Sequence, residues 1–240
     1  MATIVVAHGA WSAGWAWRKM RPLMAARGHA LWTPTYTGLG ERSHLASPQV
    51  NLETQITDIV QVLEMEDLAD VVLVGHSYGG MVATGVADKV PGRLQRVIYL
   101  DAFVPEDGDS LATLAGQTPE AMRASADDGW RAPPRPVPAD TPEADREWIA
   151  ARRMSHPVEC FCQPIHLTGA GAHLPRHYIY ALKKDPRDSF GRFYQQAKTT
   201  PGWTAHEIDS SHNPHITVPE TLAEMLDGII REGEKQGPAR

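Results

Sequence analysis

Ser77 has the neighbours a nucleophile needs. It stands in Gly75-His76-Ser77-Tyr78-Gly79, after the apolar run Val71-Val72-Leu73-Val74 and before the helix-compatible run Gly80-Met81-Val82-Ala83-Thr84-Gly85-Val86-Ala87. A serine flanked by glycines where a strand passes into a helix occupies a strained corner that lifts its hydroxyl clear of the sheet. Glycines are needed there because a side chain would collide with the adjoining strand or helix. A serine hydroxyl is a poor nucleophile at neutral pH and requires a base to take its proton. His212, in the loop Asp209-Ser210-Ser211-His212-Asn213-Pro214-His215, follows the last expected strand and precedes the last helix, where the order serine, acid, histidine puts that base. His206 falls inside the strand and His215 lies nearer the helix.

The base must in turn be held in one tautomer by a carboxylate. Asp185, in Leu182-Lys183-Lys184-Asp185-Pro186-Arg187, follows the fifth expected strand and is the first choice; Asp101, which ends the fourth, is the rival, and Asp188 a third candidate. Attack on a carbonyl creates an oxyanion that fixed backbone donors stabilise. The N–H of Tyr78 is one such donor, and the turn His8-Gly9-Ala10 after the first strand offers the other at Ala10, with Gly9 allowing close approach. His8 and His76 flank this site as structural hydrogen-bonding groups. Asp209, His212 and His215 can also be read as metal ligands, but the spacing implies no further strong ligand, and no metal is expected.

These groups need elements to carry them. Ile4 to Ala7 is a short continuous apolar run, as in a strand buried on both faces of a parallel sheet. Trp15, Trp17, Met20, Leu23 and Met24 recur at helical spacing until Gly28, and Ala30 to Thr33 is a second strand. The turn-rich Pro34 to Leu45 then lies at the carboxyl end of that strand, where open α/β sheets bind ligands. Leu52, Ile56, Ile59, Val60 and Leu63 mark an amphipathic helix capped by Asn51. Gln95 to Leu100, His177 to Leu182 and Thr204 to Ile208 complete six strands, with helices from about Asp188 to Lys198 and from Pro219 onward. The alternation implies right-handed crossovers and a mostly parallel sheet.

Between Pro105 and Pro175 the alternation lapses into proline-punctuated pieces, with helices expected at Pro119 to Ala126 and Pro142 to Met154. The chain thus divides into core (1–104), cap insertion (105–175) and core (176–240). Trp11, Trp130, Trp148 and Phe161 are the candidate pocket residues. The two cysteines, Cys160 and Cys162, are separated by one residue, which suits a strand and neither a zinc site nor a Cys-x-x-Cys redox pair; they read as packing residues in a reducing compartment.

With 240 residues, 42% of them hydrophobic, one large domain can bury a substantial core. The net charge of -6 gives no footing for nucleic acid or an anionic membrane. The N-terminal segment reads as a strand instead of a signal peptide, and the expected location is cytoplasmic.

His8-Gly9-Ala10-Trp11 with Trp15 and Trp17, the elbow Gly75 to Gly80, the strand end Asp101-Ala102-Phe103-Val104-Pro105, and His212 with Pro219 together resemble the α/β-hydrolase superfamily. The similarity is to the branch that holds salicylate methyl esterase, polyneuridine-aldehyde esterase, hydroxynitrile lyases and bacterial carboxylesterases. The resemblance implies an α/β-hydrolase fold: a six-stranded sheet flanked by helices, a helical cap after the fourth strand, and no cofactor. It implies a serine esterase acting through an acyl-enzyme on a small ester with a hydrophobic or aromatic part, with a homodimer left open as its assembly. Relatives carry their acid in a Thr-x-Asp sequence, from which Asp185 is displaced by about one position. Hydroxynitrile lyases carry a threonine and a lysine where this chain has Ala10 and Asn213, so cyanohydrin cleavage is the second reading; a slow-turnover receptor is the third.

Overall fold

The computed structural model describes residues 1–183 and 188–236, with side chains to residue 232. Five strands alternate their side chains between two apolar layers. In β1 (Thr3–Ala7), β3 (Val71–His76) and β4 (Leu94–Leu100), Val5, Leu73 and Val97 enter one layer while Ile4, Val72 and Ile98 enter the other. β7 (Arg176–Ala181) and β8 (Trp203–Ile208) continue the pattern on the far side of β4, and β2 (Ala30–Trp32) closes the opposite edge. The order is β2-β1-β3-β4-β7-β8, and every neighbouring pair is parallel. A parallel sheet needs cover on both faces, which is why its strands read as unbroken apolar runs.

The cover comes from amphipathic helices. α2 (Leu52–Met65), α3 (Gly79–Lys89) and α8 (Gly191–Thr199) pack on one face, and α1 (Met20–Ala26) and α9 (Pro219–Gln236) on the other. Asn51 starts α2 as expected from its type: its side chain accepts from the Thr54 N–H, and the Thr54 hydroxyl answers to the Asn51 N–H in a capping box. Among the described residues no helix is long and apolar enough to cross a membrane.

Between β4 and β7 the chain forms the insertion over the carboxyl ends of the strands. It holds α4 (Leu111–Leu114), α5 (Pro119–Ala124), α6 (Glu143–Ala150), α7 (Glu159–Cys162) and a two-stranded ribbon, β5 (Arg131–Ala132) against β6 (His156–Pro157). Its prolines keep each piece short by removing N–H donors and fixing φ. The pieces are then held by contacts to the core and to one another: Asp145 of α6 takes Lys19 Nζ of the core at 2.6 Å, and Arg123 of α5 chelates Glu159 of α7 at 2.6 and 2.9 Å.

Three elements differ from the sequence reading. Cys160 and Cys162 lie on the single turn of α7 and not on a strand. The thiols accordingly diverge, Cys160 Sγ toward the Val50 carbonyl and Cys162 Sγ toward that of Pro119; both remain buried and free. A run this short carries no usable period, and packing against α2, α4 and α5 decides it. The first helical stretch splits into a 3-10 turn, Gly14–Trp17, and α1. Helix α6 is shorter than Pro142 to Met154.

Candidate active site

Four strand ends meet where β3 turns into α3. Ser77 has φ +56°, the left-handed region that a non-glycine side chain resists, and the turn exists because the backbone around it is packed too closely for any alternative. A Cβ on Gly79 would lie 2.0 Å from the Ala7 carbonyl oxygen, one on Gly80 2.0 Å from that of Phe103, and one on Gly75 2.8 Å from Ala83 Cβ. The Phe103 N–H donates to the Ser77 carbonyl at 3.1 Å and the Ser77 N–H to the Leu100 carbonyl at 3.3 Å, so the corner is tied to β4 on both sides.

His212 Nε2 lies 2.9 Å from Ser77 Oγ, and His212 Nδ1 lies 2.8 Å from Asp101 Oδ2. Asp101 is 1% exposed and also sits in the left-handed region, at φ +43°, which aims its carboxylate across the strand end. Its other oxygen, Oδ1, accepts the Ala181 N–H at 3.2 Å, while its own N–H donates to the Ile179 carbonyl at 2.8 Å. A buried carboxylate with fixed donors on one oxygen and an imidazole on the other is held as an acceptor for Nδ1–H. Asp185 lies outside the described residues. Asp188 serves elsewhere, accepting the N–H groups of Phe190 and Gly191 at the start of α8.

The other histidines hold the loops. His76 Nε2 donates to the His212 carbonyl at 2.8 Å, and burial, followed by the His212 charge, pushes its pKa down to about 3. His8 Nδ1 donates to the Gly9 carbonyl at 2.9 Å and its Nε2 accepts the Tyr36 N–H at 3.3 Å; burial lowers its pKa to about 4. Both are neutral hydrogen-bonding groups. His215 stacks on Trp17 at 4.5 Å, buried, and Asp209 pairs with Lys183 at the surface. Among the described residues no group of three or more His, Cys, Asp or Glu is arranged to hold a metal ion.

At Gly9 a Cβ would lie 2.9 Å from His76 Nδ1 and 3.3 Å from Ser77 Cβ, so the end of β1 is pressed against the serine corner. Ala10 follows in that turn, and Tyr78 follows the serine. Among the described residues neither the Ala10 nor the Tyr78 N–H donates to another backbone carbonyl.

The four aromatic candidates have separate positions. Trp11 and Phe161 pack edge to face at 5.4 Å, with Phe161 also 5.3 Å from Tyr78. Trp130 is half-buried on the cap ribbon beneath the Arg131 guanidinium. Trp148 belongs to the clasp between α6 and the core: it meets Trp15 at 5.1 Å and lies between the guanidinium groups of Arg18 and Arg152. Phe190, which sequence reasoning passed over, stacks on the His212 ring at 4.9 Å with an 8° interplanar angle. Its residue type next to a helix start gives no signal of that contact.

The family model described as the alpha/beta hydrolase family matches residues 4–225. The chain belongs to that family. This hydrolase is 39% identical to a carbendazim hydrolyzing esterase of Nocardioides sp. (strain SG-4G) over 95% of its own length and 100% of the relative's. It is 29% identical to a pyrethroid hydrolase of Sphingobium wenxiniae, covering 93% and 85% of the two chains. Among solved structures, an extracellular α/β-hydrolase from a Paenibacillus species superposes with a TM-score of 0.79 at 23% identity, over 94% of this chain and 98% of that one. The six-stranded sheet with its insertion after β4 is therefore the family's architecture, and the protein is related to the branch of esterases, methylesterases and pyrethroid hydrolases.

Proposed function

We propose that this enzyme hydrolyses carboxylic esters through an acyl-enzyme on Ser77, with His212 as proton shuttle and Asp101 as the acid that orients it. The observation that carries this reading is the unbroken chain from Asp101 Oδ2 through His212 to Ser77 Oγ, at 2.8 and 2.9 Å. The relative at 39% identity, called an esterase, supports it. Nδ1 faces a carboxylate that only accepts, so the neutral ring carries its proton there and offers the Nε2 lone pair to the serine.

As Ser77 Oγ attacks the ester carbonyl, its proton passes to His212 Nε2, and Asp101 stabilises the imidazolium. The negative oxygen of the tetrahedral intermediate is received by the N–H groups of Ala10 and Tyr78. Collapse breaks the bond to the alcohol, which leaves with the proton from Nε2. A water molecule, deprotonated by the same nitrogen, then attacks the acyl-enzyme, releases the acid and restores Ser77. The apolar surroundings, with Phe190 on His212 and Phe103 edge-on to Phe190 at 5.0 Å, favour a substrate with a hydrophobic or aromatic part.

Stopped-flow mixing with a p-nitrophenyl ester tests the reading. A p-nitrophenol burst equal to the enzyme concentration, absent in Ser77→Ala, is the expected result. Absence of both burst and turnover across short and bulky esters overturns it.

A further inference from the structure

The oxyanion turn is not held by the hydrolase core alone. Trp11, directly after Ala10, sits at φ +57°, a conformation a bulky side chain keeps only when its surroundings impose it. Both of its N–H groups end on one rung of the cap ribbon, where Ala132 faces His156 in register. The Trp11 backbone N–H donates to His156 Nδ1 at 3.3 Å, and the indole Nε1–H donates to the Ala132 carbonyl at 3.0 Å.

The same histidine reaches the second donor. Because a backbone N–H can only donate, His156 Nδ1 is the acceptor nitrogen and Nε2 carries the proton, which points at Gln55 Oε1, 3.2 Å away. The Tyr78 hydroxyl donates to that oxygen at 2.7 Å. His156, Gln55 and Tyr78 are all 0% exposed, and Phe161 lies against His156, Tyr78 and Trp11. One buried polar chain thus joins the residue after Ala10 to the side chain of Tyr78, through a histidine supplied by the cap.

We propose that His156 is a positioning residue for the oxyanion site: the Ala132–His156 rung of the cap ribbon, through Trp11 and Gln55, holds the Ala10 and Tyr78 N–H groups in register with Ser77. The inference rests on the acyl-enzyme reading above. Its consequence is that the cap does more than cover a substrate. When the ribbon is seated the two donors are aimed, and when it lifts Trp11 loses both of its anchors. Coupling of this kind makes the electrostatic stabilisation of the transition state depend on a segment that contributes no reacting group.

The experiment compares native protein, His156→Leu, which has no acceptor for Trp11, and His156→Asn, whose Oδ1 can replace Nδ1. Trp11→Phe, which keeps the ring and loses the bond to Ala132, is the fourth protein. Each is measured for kcat, KM, burst amplitude and inhibition by a trifluoromethyl ketone, whose hemiketal oxyanion needs the same donors. For His156→Leu we expect kcat to fall about 10- to 100-fold, KM to stay within about twofold, and the ketone to weaken in proportion to kcat. His156→Asn should recover most of the loss, and Trp11→Phe should lose about 3- to 10-fold in kcat. Should His156→Leu not fold, the asparagine and Trp11→Phe carry the same comparison. Native-like kcat and ketone affinity in His156→Leu or Trp11→Phe, equal losses in leucine and asparagine, or parallel changes in kcat and KM overturn the proposal. A Ser77-dependent burst in the native protein keeps the esterase reading in every one of these cases, and its absence removes that reading instead.

Discussion

Two strand ends on the same side of the sheet each offer aspartates to the site, and the protein uses them differently. At the end of β4, Asp101 is 1% exposed, with Oδ1 fixed by the Ala181 N–H and Oδ2 turned to His212. At the end of β7, Leu182 is 46% exposed. There Asp188 accepts the Tyr180 hydroxyl and the N–H groups that open α8, which delivers Phe190 onto the other face of the histidine. One strand end supplies charge and the other supplies an apolar wall. A carboxylate that orients an imidazole needs burial and fixed donors as much as the right place in the sequence order, since an exposed one is screened and mobile.

The two strand ends differ most at Asp101. Asp101→Asn leaves the packing nearly unchanged but turns an amide N–H toward His212 Nδ1, which selects the wrong tautomer, and kcat should fall about ten-thousand-fold. Retention of kcat within tenfold in a steady-state assay would move the acid to the β7 end.

Acid should damage the site from the β1 and β3 side. His8, just after β1, and His76, at the end of β3, have pKa values near 4 and 3, lowered by burial from 6.5. The unfolded chain binds these protons below about pH 6.5 and the folded one does not, so stability is complete above that pH. It declines through the window down to about 4 for His8 and about 3 for His76. Calorimetry should show Tm dropping on the order of 10 °C between pH 7 and 4; an unchanged Tm contradicts the buried, neutral assignment.

The β7 side responds less. Phe190→Ala removes the ring from His212 and should lower kcat about 2- to 10-fold, the range of a lost aromatic pair, with the fold intact by circular dichroism. A fall comparable to that of Asp101→Asn would show that the two ends are not distinct. Asp185→Asn, the smallest change, should leave kcat within about twofold, because the Nδ1 position is already taken by Asp101.

Much of the framework was legible. Ile4 to Ala7 and Val71 to Val74 are continuous apolar runs because both faces of a parallel sheet are covered, and Asn51 announced α2 because its side chain satisfies a helix-end N–H. Gly75, Gly79 and Gly80 marked the serine corner because the chain at the end of β1 and after β4 and, for Gly75, the start of α3 leave no room for a Cβ. Cys160 and Cys162 misled because one helical turn and a short strand look alike when periodicity has only four residues to act on. Trp148 is an aromatic of the cap like Phe161, yet it fastens α6 to the core through Trp15 and Arg18.

That an α/β sheet presents Ser77 and brings His212 to its rim follows from local rules alone: glycines at a strained turn and a loop between the last strand and the last helix. Which aspartate meets the histidine, which ring lies on it, and that a histidine of the cap reaches the turn after Ala10 emerge from the folded packing. Those contacts join residues far apart in the chain, His156 to Trp11 and Asp101 to His212, across segments whose relative position depends on the whole core packing around them. No local period or motif carries that information.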